Sequence, residues 1–169
     1  MKRILFTLAA ALATALSAAA PAQAAPPPTE CTSGSHSDLT PPHHTHWLMG
    51  QRSYQGSATI FDTTYRLWLH ENPAYSPPLF VSAANAKCGA LYQTIATLTP
   101  TWQTGNLPCT ASGDYQDPSN SNLHHRFIGQ RVNRVNSVST TTALFRFWVS
   151  EEAGGPGGWY YRGSSVVMC

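Results

Sequence analysis

Two stretches of this chain recur in the same order. His46-Trp47-Leu48-Met49-Gly50-Gln51-Arg52 returns as His125-Arg126-Phe127-Ile128-Gly129-Gln130-Arg131. Arg66-Leu67-Trp68-Leu69-His70-Glu71 returns as Arg146-Phe147-Trp148-Val149-Ser150-Glu151. Cys31 and Cys109 precede the two sets, and Cys88 and Cys169 close them. Four landmarks in one order predict an internal duplication, and a period of this kind constrains the fold more than any single motif. The offset between matching positions drifts from 78 to 81 residues, so single-residue insertions separate the copies. The first repeat is expected over 46–88, bridged back to Cys31. A connector follows at 89–108, and the second repeat covers 109–169.

The segment before the first repeat divides in two. Met1-Lys2-Arg3 is a basic start, 4–20 is an apolar run rich in Ala and Leu, and Ala22-Gln23-Ala24 has small residues at both flanks of a cleavage site. Residues 1–24 therefore read as a secretory signal peptide. A Pro-rich leader loop is expected over 25–45. Export to an oxidising compartment, secreted or periplasmic, turns an even cysteine count into an expectation of two disulfides. A duplicated unit carrying its own bridge favours Cys31–Cys88 and Cys109–Cys169. The pairing Cys88–Cys109 with Cys31–Cys169 would instead join the halves. Each bridge within a repeat is expected to contribute about 4 kcal/mol in the chain-entropy picture.

Charge excludes several function classes. Without Lys2 and Arg3, eight basic residues face eight acidic ones, and only 11% of the chain is charged. A near-neutral chain lacks the basic surface that non-specific nucleic-acid binding needs. No later stretch is long and apolar enough to span a membrane after signal removal.

The periodicity is that of strands. Tyr65, Leu67 and Leu69 alternate with Arg66, Trp68 and His70, and Phe145, Phe147 and Val149 alternate with Arg146, Trp148 and Ser150. Period two with aromatic and β-branched residues is the strand pattern. The first set in each repeat should face a core, and the Arg-x-Trp set should share the opposite face. Further strands are expected at 47–49, 57–61, 79–82, 127–128, 135–141 and 159–167. Residues 91–98 fit either periodicity, with Thr content and Pro100 favouring a strand. Asn72-Pro73, Pro77-Pro78 and the glycine-rich 154–158 punctuate the pattern. The expected architecture is all-β: two tandem pseudo-repeats packed as a sandwich or barrel and stapled by two disulfides.

Five sets of residues could carry chemistry. The glycine before each Gln-Arg suggests a tight turn or bulge. Arg52 and Arg131 are then either aimed at an anionic or sugar ligand or paired inside their own repeat. Arg66 with Trp68, and Arg146 with Trp148, lie two apart on one strand face, where guanidinium and indole stack and can grip a ligand. His43, His44, His46, His124 and His125 form two clusters with donor atoms suited to zinc or copper, at spacings unlike any known metal motif. His46 and His125, equivalent in the repeat, could meet between the halves as an acid–base pair. Glu71 and Glu151 are the retained carboxylates, one per repeat, as a glycosidase pair would require. No serine-nucleophile elbow, phosphate loop, dinucleotide fingerprint, HExxH or CxxC is present.

The leading expectation is a secreted, disulfide-bonded β-protein without cofactor that binds a glycan, a surface polymer or a protein outside the cytoplasm. Arg52, Arg66, Trp68, Arg131, Arg146 and Trp148 would hold the ligand. The alternative is a small secreted hydrolase with a His/Arg site between the repeats.

Overall fold

A computed structural model describes residues 29–55, 62–89, 93–154 and 158–169. The expected signal peptide at 1–24 and the expected strand at 57–61 lie outside the described residues. A helical turn α1 (Thr29–Thr32) leads into β1 (His36–Ser37), β2 (Thr45–Tyr54), β3 (Thr63–Asn72), β4 (Leu79–Gly89), β5 (Gln93–Leu98) and β6 (Thr101–Trp102). A second helical turn, α2 (Leu107–Thr110), leads into β7 (Tyr115–Asp117), β8 (Asn120–Arg134), β9 (Thr142–Ala153) and β10 (Trp159–Met168). The protein is all-β.

Two antiparallel meanders, β2-β3-β4 and β8-β9-β10, form the body. Strand β5 extends β4 antiparallel and β6 extends β10 in parallel, so the connector 89–108 adds a strand to each meander. That places 93–98 in a strand. The meanders meet through one parallel pair, Leu79 with Arg134, and the path ends at β1 and β6 without closing into a barrel.

Both meanders slip register at the same point, between Leu48 and Gly50 on β2 and between Phe127 and Gly129 on β8. The glycines therefore mark β-bulges, and β2 and β8 approach each other there. A Cβ on Gly129 would lie 2.8 Å from the Met49 carbonyl oxygen. One on Gly50 would lie 2.8 Å from Ile128 Cγ2 and 3.1 Å from its carbonyl oxygen. Only a residue without a side chain lets the two strands come this close.

The core follows the alternation. Leu67, Leu69, Phe145, Phe147 and Val149 are fully buried. Phe80 stacks on Phe145 at 4.3 Å and Tyr65 on Tyr161 at 3.5 Å, so the two halves share one core.

The opposite face departs from expectation. Trp68 and Trp148 are buried, and Arg66 and Arg146 are 9% and 4% exposed. The leader, expected as a loop, folds back over Trp68: β1 pairs with β2, and His36 meets the indole edge. In the second half β7 pairs with β8 and Tyr115 meets Trp148. Two constraints hold each cover down. The disulfides Cys31–Cys88 and Cys109–Cys169 tie α1 to β4 and α2 to the chain end after β10. Arg66 donates to the carbonyls of Glu30 (2.6 Å) and Ser33 (2.7 Å), and Arg146 to those of Pro108 (2.7 Å) and Ala111 (2.6 Å). The planar guanidinium spans two carbonyls of a short helical turn while its face lies near the tryptophan.

The expected strand at 135–141 is a reversal instead. Asn136 Oδ1 accepts from the backbone N–H of Val138 (3.0 Å) and Ser139 (2.7 Å), a local side-chain turn that competes with strand pairing. No described helix is long and apolar enough to cross a membrane.

Candidate functional site

The arginines of the recurring Gly-Gln-Arg lie between the halves. Arg52 donates to Glu151 through Nε (2.6 Å) and Nη2 (3.0 Å), and Tyr54 OH (3.0 Å) and Arg126 complete that node. Arg131 donates to Glu71 through Nε (2.7 Å) and Nη2 (2.8 Å), joined by Asn133 (2.7 Å) and Trp47 Nε1 (2.8 Å). Each arginine thus takes the glutamate of the other half, not of its own. Burial raises the proton affinity of both carboxylates, but the hydrogen bonds outweigh it and hold Glu71 and Glu151 below the usual carboxylate range. Two carboxylates locked in separate ion-paired nodes do not form a glycosidase acid–base pair. Arg52 and Arg131 are clamps between the halves.

The histidines sit on the outer faces, in register with their neighbours across the sheet. His36 on β1 pairs with His46 on β2, and His46 with His70 on β3. In the second half Tyr115 on β7 pairs with His125 on β8, and His125 with Ser150 on β9. Asp38 lies 3.1 Å from His46 Nε2, and Asp117 lies 3.1 Å from His125 Nε2. Hydrogen bonds from Ser119 and His125 hold Asp117 far below its usual value, and the adjacent His46 lowers Asp38.

Beyond this shared frame the ladders diverge. His46 stacks on His36 at 4.7 Å and lies 4.1 Å from the His70 ring. Burial, reinforced by His46, pushes His70 down to about 4, so its imidazole is neutral at pH 7. His125 instead stacks on Tyr115 at 4.6 Å, and its Nδ1 meets Ser150 Oγ at 2.9 Å. Burial, with Asp117 nearby, raises the Tyr115 phenol. Asp117, His125 and Ser150 form a chain, but Ser150 lies outside the groove that the other two line. The chain orients the imidazole and presents no exposed nucleophile.

That groove encloses about 550 Å³. Tyr115, Asp117 and His125 form one wall, Gln103 and Asn106 lie across it, and Val167 contributes apolar surface. The Gln103 side-chain oxygen is buried with no hydrogen-bond partner.

The remaining sequence candidates fall elsewhere. His43 is exposed, His44 lies beside it on the leader, and His124 packs edge-on to Trp159. His46 and His125 do not share a site. Arg131 packs over Trp47, next to His46, at 4.1 Å, and His125 lies six residues earlier on β8, about 20 Å of extended strand. Arg66 and Arg146 are engaged in holding the covers, Trp68 and Trp148 are buried, and of the four only Arg66 reaches a surface pocket, beside the Cys31–Cys88 bridge. Sequence reasoning missed His36, His70, Asp38, Asp117 and Tyr115. Parity could have found His70, which alternates onto the face of Arg66 and Trp68. The others arrive only through cover strands two or three residues long, with Asp38 just after β1.

No family model, curated protein or solved structure matches this chain.

Proposed function

We propose that the protein is a secreted or periplasmic binding protein, built from two copies of one β-unit packed face to face as a sandwich. Its ligand is a glycan, held in the groove of the second half. Two intramolecular disulfides are consistent with an extracytoplasmic location. One observation carries the reading: the groove sets a buried, unpartnered Gln103 oxygen and the ionised Asp117 carboxylate, which already accepts from Ser119 and His125, beside the ring of Tyr115. Sugar hydroxyls supply donors, and sugar C–H faces pack on aromatic and proline surface. The volume suits a ligand of one or two sugar rings, within the usual range for small-molecule sites.

A glycan array followed by calorimetry on the best ligand tests this. Asp117→Asn and Tyr115→Ala are each expected to weaken binding at least about tenfold, the loss of one charge-assisted hydrogen bond or one aromatic contact. An array on which nothing binds, or a hit whose affinity neither substitution alters, counts against the reading.

A further inference from the structure

We propose that the outer face of the first half is a zinc site, formed by Glu30, His46 and His70. The ligand atoms of these three side chains lie within 4.8 Å of one another. They come from three elements, α1, β2 and β3, so the cluster exists only because the leader folds back over the sheet.

Each imidazole has at least one buried ring nitrogen with no hydrogen-bond partner. His46 Nε2 lies 3.1 Å from the Asp38 carboxylate, which faces the ring, and neither of its nitrogens makes a hydrogen bond. His70 Nδ1 meets Ser82 Oγ at 3.0 Å, and its Nε2 is likewise buried without a partner. His70 is arranged as metal-binding histidines are: an outer hydrogen bond sets tautomer and ring orientation, and the other nitrogen is left for the ion. Buried polar atoms with no partner are otherwise costly and rare.

The backbone that carries the carboxylate is anchored. Glu30 precedes Cys31, whose disulfide to Cys88 anchors the turn, and the Glu30 carbonyl accepts from Arg66 at 2.6 Å. Two imidazoles and one carboxylate with a position left for water is a common zinc set. Ligand atoms in a tetrahedral zinc shell stand about 3.3 Å apart, so shifts of about 1 Å in the side chains close the site. Nitrogen donors select zinc and its neighbours over calcium and magnesium. The second half provides an internal contrast. Pro108 precedes its cysteine where Glu30 precedes Cys31, and Ser150 takes the ladder position of His70.

Titrating the oxidised full-length protein with Zn(II), and with Co(II) as an optical probe, tests the site. One equivalent is expected to bind, with the visible absorption of a tetrahedral or five-coordinate Co(II) centre, and Zn(II) should raise the melting temperature. His70→Ser, which copies the residue at 150, and Glu30→Ala should each weaken binding by about 100-fold or more, since loss of an outer partner alone costs 10–100-fold. His43→Ala, which removes an exposed neighbour, should leave affinity unchanged. Melting curves without metal establish that each variant is folded. The proposal is overturned if the wild-type protein takes up no stoichiometric metal. It is equally overturned if folded His70→Ser and Glu30→Ala bind as wild type, or if His43→Ala abolishes uptake.

Discussion

The two outer faces are built on one plan and furnished differently. On both, a short cover strand places an aromatic or imidazole ring against a β-bulge strand, an aspartate meets the same histidine nitrogen, and an arginine pins the covering turn. In the first half the remaining positions are His36, His70 and Glu30, a set of metal donors. In the second half they are Tyr115, Ser150 and Pro108, beside an open groove. The inner nodes show the reverse. Glu71 and Glu151 are each clamped by an arginine of the other half, with Tyr54 and Asn133 as further donors at matching places. The Arg–Glu pairs that join the halves match, and the side chains facing outward differ, so distinct ligands are expected on the two faces.

The inner nodes offer the hardest test of that contrast. Glu151→Gln leaves Arg52 without a counter-charge and Arg126 with Asp114 alone, and is expected to cost about 3–5 kcal/mol in chemical denaturation. Glu71→Gln frees one arginine and should cost less. If either variant is as stable as wild type, the halves are not joined as described. The same groups set the acid limb of stability. Both carboxylates sit below their ordinary value of 4.5 in the folded protein. Their contribution is therefore complete above about pH 4.5 and is lost as pH falls through the folded values. Denaturation midpoints should be level near neutrality, fall in acid, and fall less steeply in the glutamine variants.

Next in size are the staples. Replacing Cys109 and Cys169 with alanine, or Cys31 and Cys88, opens loops spanning 60 and 57 residues and should cost about 4 kcal/mol each. The two losses should be close to equal in denaturant, but only the second should abolish Zn(II) uptake, because only that bridge anchors Glu30. A smaller effect separates the two glycines. Gly129→Ala is expected to cost about 1–3 kcal/mol, because the obstructing atom is a backbone oxygen. Gly50→Ala adds a φ of 156°, which side chains rarely adopt, to contacts of 2.8 Å with Ile128 Cγ2 and 3.1 Å with the Ile128 carbonyl oxygen, and should cost more. Thermal melts of the pair decide which half of the crossing is the more rigid.

How much of this was legible in advance varies with the range of the interaction. Inward-facing Leu67, Leu69, Phe147 and Val149 were readable because alternation along a strand is local. The cysteine pairing was readable from its order along the chain. The second face was misjudged, since nothing in a Ser-, Pro- and His-rich leader announces that two or three of its residues will pair with a strand edge. The 135–141 reversal was hidden because Val and Thr mark strands, while one asparagine decided the turn.

The chain by itself determined the inward strand faces and the recurrence that places matching residues on matching strands, and it favoured the two bridges and a bulge or turn at the glycines. These depend on near neighbours and covalent geometry. Only the tertiary structure decided that Arg52 takes Glu151 and not Glu71, that Trp68 and Trp148 are covered, and that Glu30 and His70 stand beside His46. Those outcomes depend on which surfaces the folded halves bring into contact, and residues a hundred positions apart carry no local signal of it.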